Sequence, residues 1–113
     1  MRSRSETLAA NQALFRAINE RVAAFPENRE APEAEPLMFY CECGDADCFE
    51  RVRLTRAEYE AIREDAAHFA VIPGHVFPGA EHVVEAFERY TVVEMDEARE
   101  IVERSDPRRG PDS

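Results

Sequence analysis

The sequence predicts a small α+β domain: a mostly antiparallel sheet of four to five strands with two helices, preceded by a separate N-terminal helix. Three observations carry that prediction. The chain has 113 residues, enough for one core and too few for two independent ones. Its middle holds short apolar runs that alternate with period two and are separated by Gly, Pro and Asp turns, the mark of strands. Residues 5–25 run without Gly or Pro at helical spacing, and Thr55 with Glu58 forms a T-x-x-E capping box.

Taken in order, SETLAANQALFRAINERVAAF at 5–25 reads as a helix with Ser5 as N-cap, stopped by Pro26. Leu8, Asn11, Phe15, Ile18, Val22 and Phe25 fall at spacings of three and four, the pattern of a packing seam. Such a seam serves a protein partner, a second copy of the chain, or the domain's own core. PENREAPEAEP at 26–36 has no large apolar residue and reads as an acidic, Pro-rich, mobile linker.

The compact unit is expected at 37–104. In LMFYCEC, Leu37, Phe39, Cys41 and Cys43 share one face by alternation. After the turn GDAD, Glu50, Val52 and Leu54 alternate with Arg51 and Arg53, so the two runs form a hairpin with the cysteines at its tip. A helix runs from Thr55 to about Asp65 with Tyr59 and Ile62 inward. HFAV ends in the Pro-Gly turn before His75, and VVEAF and YTVVEM are further strands. Asp96 is expected to cap a last helix that buries Ile101 and Val102. The tail at 105–113 reads as disordered.

Charge narrows the partners. The chain carries 24 acidic and 14 basic residues, a net charge of −10, and every basic residue is arginine. Phosphate backbones and anionic membranes both require cationic surfaces, so nucleic acid and membrane are disfavoured. No run is long enough to span a bilayer, and the N-terminus lacks the apolar region of a secretory signal, which points to a cytoplasmic protein.

In a reducing cytoplasm a structural disulfide is disfavoured, and clustered cysteines point to metal or redox chemistry. All three cysteines stand within CECGDADC, at 41, 43 and 48. A structural zinc site takes four thiolate or imidazole ligands in a tetrahedron, so C-x-C-x4-C at a hairpin tip leaves one ligand to be found. Gly44 lets the backbone turn, and Gly74 frees His75 to aim its ring, which makes Cys41, Cys43, Cys48 and His75 the candidate ligands for Zn2+. His82 stays open as the alternative fourth ligand. The other reading of the sulfurs is three inert, buried thiols.

The segments NQALFRAINERV, FYCECGDADC, VRLTRAEYEAIR, FAVIPGH and YTVVEM resemble a set of small, uncharacterised bacterial proteins of GC-rich, actinobacterial type. These share an aromatic-x-C-E-C-G-x3-C block, an L-T-x-x-E-Y-E helix start and a later P-G-H. The resemblance implies that Cys41, Cys43, Cys48 and His75 act as a unit; it carries no activity with it.

The expected function is a zinc finger-like interaction or regulatory module, with structural zinc and the helix at 5–25 as the docking or dimerisation element. The alternative is a redox switch that loses zinc when its thiolates oxidise. An enzyme with Glu42 or His82 as base is disfavoured, because no deaminase or H-E-x-x-H signature is present. A nucleic-acid knuckle using Arg51, Arg53 and Arg56 is disfavoured by its spacing and by the overall charge.

Overall fold

The structure, a computed structural model, describes residues 3–109. Four helices and five strands follow one another as α1 (Arg4–Ala24), α2 (Pro26–Arg29), β1 (Leu37–Tyr40), β2 (Arg51–Leu54), α3 (Arg56–Ile62), β3 (His68–Val71), β4 (Glu81–Ala86), β5 (Thr91–Met95) and α4 (Arg99–Arg104).

The α+β class and the antiparallel pairing agree with expectation, but the five strands do not form one sheet. β1 and β2 make a hairpin in the register Leu37↔Leu54 to Tyr40↔Arg51. β3, β5 and β4 make a separate antiparallel sheet in that order. The reason lies just past Tyr40. Cys41 N still donates to Glu50 O, but Glu42 N turns to Ala70 O on the outer edge of β3 (2.8 Å). One residue thus bridges the two sheets where a continuous ladder was expected.

The buried apolar residues fall into two clusters, the first centred on the β1–β2 hairpin but also taking Ala70 of β3, Tyr90, and Val92 of β5. Leu37, Phe39, Val52 and Leu54 meet Tyr59 and Ile62 of α3, and the rings of Phe39 and Tyr59 stack 4.5 Å apart. The second cluster gathers Phe69, Val71, Val93 and Met95 around Leu8, Ala9, Val102 and the three cysteines.

The N-terminal helix is not a separate appendage. It starts two residues earlier than expected, with Ser3 in place of Ser5 as N-cap, in a reciprocal capping box with Glu6. Its buried face is Leu8, Ala9, Gln12, Phe15, Arg16 and Asn19. The expected seam is therefore rotated: Leu8 and Phe15 are buried, Asn11, Ile18 and Val22 half-buried, and Phe25 exposed. Polar residues occupy the inward positions because each finds a partner there. Arg16 donates to Ala66 O and Val102 O, with its guanidinium over the Phe69 ring at 4.9 Å.

The 26–36 segment, expected as an extended linker, begins with the single helical turn of α2. Arg56 fastens it to the domain by donating to Arg29 O and Ala31 O. Asp96 does not cap α4, whose N-cap is Ala98 without a side-chain bond; Asp96 accepts instead from His82 (2.7 Å), its neighbour across the β4–β5 hairpin. The tail expected as disordered from 105 is structured at least to 109. Asp106 is buried against Arg63, and Arg108 pairs with Glu20 and Glu60. Residues 110–113 lie outside the described residues.

Candidate metal centre

β1 delivers Cys41 at its end, and the turn that follows carries Cys43 and Cys48 back toward β2. Gly44 makes this turn possible in two ways. Its φ is +85°, a conformation that L side chains rarely adopt. A Cβ there would also stand 2.4 Å from Leu8 Cδ1 and 3.0 Å from Leu8 O, so the loop lies directly on α1. His75 comes from the turn after β3, closed by His75 N donating to Ile72 O (2.9 Å).

These two segments bring Cys41, Cys43, Cys48 and His75 together, with one donor atom from each all within 4.8 Å of one another. His75 Nδ1 lies 3.5 Å from Cys41 Sγ and 3.8 Å from Cys48 Sγ. All three sulfurs belong to buried residues, while the imidazole is 31 % exposed. Its other nitrogen, Nε2, lies 3.7 Å from Glu50 Oε2, where a carboxylate can orient a ligating imidazole. The group is suited to holding a metal ion.

Backbone amides favour the thiolate form. Ile72 N donates to Cys41 Sγ (3.2 Å), and the Asp45 and Glu50 backbones bond to the sulfurs of Cys43 and Cys48. In the metal-free chain the crowded sulfurs share protons unevenly. A hydrogen bond from Cys41 brings the Cys43 thiol down to about 5, while that same bond and burial push Cys41 up; burial also raises Cys48. The cysteines are free, with no disulfide among them.

His82, the alternative fourth ligand, is not at this site. It lies on β4 with its side chain 55 % exposed, bonded to Asp96. His68 is bonded to Glu94 (2.8 Å). These two histidines join Asp65, Glu94 and Asp96 in two further groups on the sheet surface, but Arg99 already pairs with Glu94 and Asp65 there.

Glu42, between two of the cysteines, is 1 % exposed and faces no solvent from which to act as a base. Its carboxylate accepts from Asn19 Nδ2 (2.7 Å) and Ala70 N (3.0 Å), and burial raises its pKa. A period-two reading puts residue 42 opposite the cysteine face and therefore outside. Only its pairing with the edge of β3 buries it, and no local signal announces that.

Searches against known protein families, curated proteins and solved structures find no match for this chain. Among the described residues, no helix is long and apolar enough to cross a membrane.

Proposed function

We propose that this chain is a small cytoplasmic zinc-binding module that acts by holding a protein partner, with one structural Zn2+ closed by Cys41, Cys43, Cys48 and His75. The observation that carries the reading is the spacing of the donors. A tetrahedron with Zn–S near 2.3 Å and Zn–N of about 2.0–2.1 Å has S···N edges of about 3.6 Å. The edges from His75 Nδ1 are 3.5 and 3.8 Å. Four protein donors fill a tetrahedron and leave no position for water, so the site suits a structural ion and not a catalytic one.

A binding role is supported by what lies outside the core. Leu14 on α1 and Phe25 at its C-cap are 58 % and 53 % exposed, and Phe49, next to the proposed ligand Cys48, is 67 % exposed. Phe49 touches Phe15 of α1, with ring centroids 6.0 Å apart, which links the metal loop to that helix. Large apolar side chains left in solvent favour a protein partner, and the net charge of −10 disfavours a nucleic acid.

Native mass spectrometry of the anaerobically purified chain tests the reading. One zinc per chain is expected, absent after denaturation and in a Cys43→Ser/His75→Ala double variant. A zinc-free native protein that also takes up none on titration would sink it. The same spectra give the subunit count, and a monomer at all concentrations restricts the partner to a different protein.

A further inference from the structure

The buried face of α1 raises a physical question. A helix packed into a small core gains most from apolar side chains, and a buried carboxamide brings a desolvation cost unless it is bonded. Yet Gln12, Arg16 and Asn19 are all 0 % exposed. Arg16 ties α1 to α4. The carboxamides of α1 reach somewhere else: the two segments that carry the metal donors.

Asn19 serves the cysteine segment as a strand would. Its Nδ2 donates to Tyr40 O (2.9 Å) and to Glu42 Oε2, while Tyr40 N donates to its Oδ1 (2.9 Å). It thus takes both backbone bonds of the residue before Cys41 and holds the side chain of the residue after it. Asn11 adds a bond to Gly44 O (2.9 Å), just after Cys43. Gln12 serves the histidine segment through one relay. Its Nε2 donates to Glu81 Oε1 (2.6 Å), and Glu81 Oε2 accepts from Phe77 N (3.1 Å), two residues past His75. Gln12 Oε1 has no hydrogen-bond partner, so this residue keeps a buried polar atom unsatisfied while it holds Glu81.

We propose that Asn19 and Gln12 of α1 are positioning residues for the metal centre, Asn19 aiming the cysteine segment and Gln12, through Glu81, aiming the histidine segment, so that the four donors converge before the ion arrives. The inference rests on the metal reading above and goes beyond it. It assigns the N-terminal helix to the outer shell of the site, and it makes the metal-free chain a folded protein with a prepared cavity, unlike a finger that is unfolded without zinc.

Co2+ titration of the full chain tests it, read by the thiolate charge-transfer and tetrahedral d–d bands, with affinity from competition against a chelating dye. The variants are Asn19→Ala, Gln12→Leu and the milder Asn11→Ala, with Ile62→Ala in the other apolar cluster as a control for general loss of stability. Asn19→Ala and Gln12→Leu are expected to weaken Co2+ binding by about 10–100-fold, the usual effect of removing an outer-shell partner, and to alter the d–d bands. Ile62→Ala should lower the melting temperature and leave the spectrum and affinity of the folded protein as they were. If Asn19→Ala fails to fold, Asn11→Ala and Gln12→Leu carry the same test. Wild-type affinity and spectrum in these variants would overturn the positioning role and leave the metal reading standing. A wild-type chain that takes up no Co2+ would remove both. A metal-free wild type without native tertiary circular dichroism would overturn the prepared cavity.

Discussion

The two apolar clusters of this molecule are built on different chemistry, and the difference shows how a short chain completes a core. Around β1, β2 and α3 the interior is aliphatic and aromatic, closed by Phe39 stacked on Tyr59, and its ionisable groups are the two phenols of Tyr59 and Tyr90. Around β3 and β5, the corresponding places nearest α1 are taken by three sulfurs. Protonated thiols pack as small hydrophobes, but these have amides aimed at them and an imidazole alongside. The first cluster is held by burial. The second carries a donor set suited to a metal ion and, on the zinc reading proposed above, responds to metal and acid in ways the first does not.

Removing the metal separates the halves most strongly. A ligand that binds only the native state stabilises it by about 4 kcal/mol when its free concentration is 1,000 times its Kd. Chelation should therefore lower the melting temperature and release the amides of Asp45, Glu50 and Ile72 to hydrogen exchange first, while Val52 and Leu54 stay protected. Equal loss of protection in both halves would show that they open together.

Phe39→Ala strikes the other half. Phe39 is fully buried, and truncation of such a ring costs about 3–5 kcal/mol. In urea unfolding the loss should be the same with and without metal. A loss that depends on metal would join the halves energetically.

Gly44→Ala tests the contact between the metal loop and α1. The positive φ alone costs about 1–2 kcal/mol for a residue with a Cβ, and the approach of Leu8 adds to it. Urea unfolding should show a loss of at least this size, and metal titration a weaker affinity, because the loop must lift off the helix.

Acid distinguishes a third region, where Arg63 pairs with Asp106 and Glu20. Burial opposes ionisation of Asp106, but bonds from Arg108 N and Arg63 outweigh it and lower its pKa. Its contribution is thus complete above the ordinary Asp value of about 3.9 and is lost as pH falls through the lowered native value. In metal-free protein, where acid release of the ion does not interfere, Asp106→Asn should reduce the urea midpoint at neutral pH and flatten its fall below about pH 4.

The smallest effect is expected from Arg89, which donates to Arg53 O and to both oxygens of Glu58, joining the β4–β5 turn to the first hairpin. The pair is partly exposed, so Arg89→Ala should cost about 0.2–1 kcal/mol and shrink further in high salt. A larger loss, measured by urea unfolding, would mean that this strap couples the two halves.

Wherever neighbours along the chain supplied the physics, the sequence could be read directly. The capping box at Thr55 and Glu58, the alternation of Val52 and Leu54 with two arginines, the C-x-C-x4-C knuckle and the turn at Gly74 are local arrangements, and the structure contains each of them. Those same signals drew Cys41, Cys43, Cys48 and His75 into one candidate set, because donor chemistry depends on residue type. What remained hidden needed a partner far away in the chain. Glu42 looks outward until Ala70 receives it, Asn19 looks like a helix surface until Tyr40 lies beside it, and Asp106 looks like a loose tail until Arg63 closes on it. A polar side chain can be buried only when its hydrogen bonds are met inside, and whether they are met is decided by residues 21 to 43 positions away. The sequence by itself therefore determined the strands, the cap at Thr55 and the three sulfur donors. Tertiary structure alone decided that the first helix turns its amides inward, that the strands divide into two sheets, and which histidine meets the sulfurs.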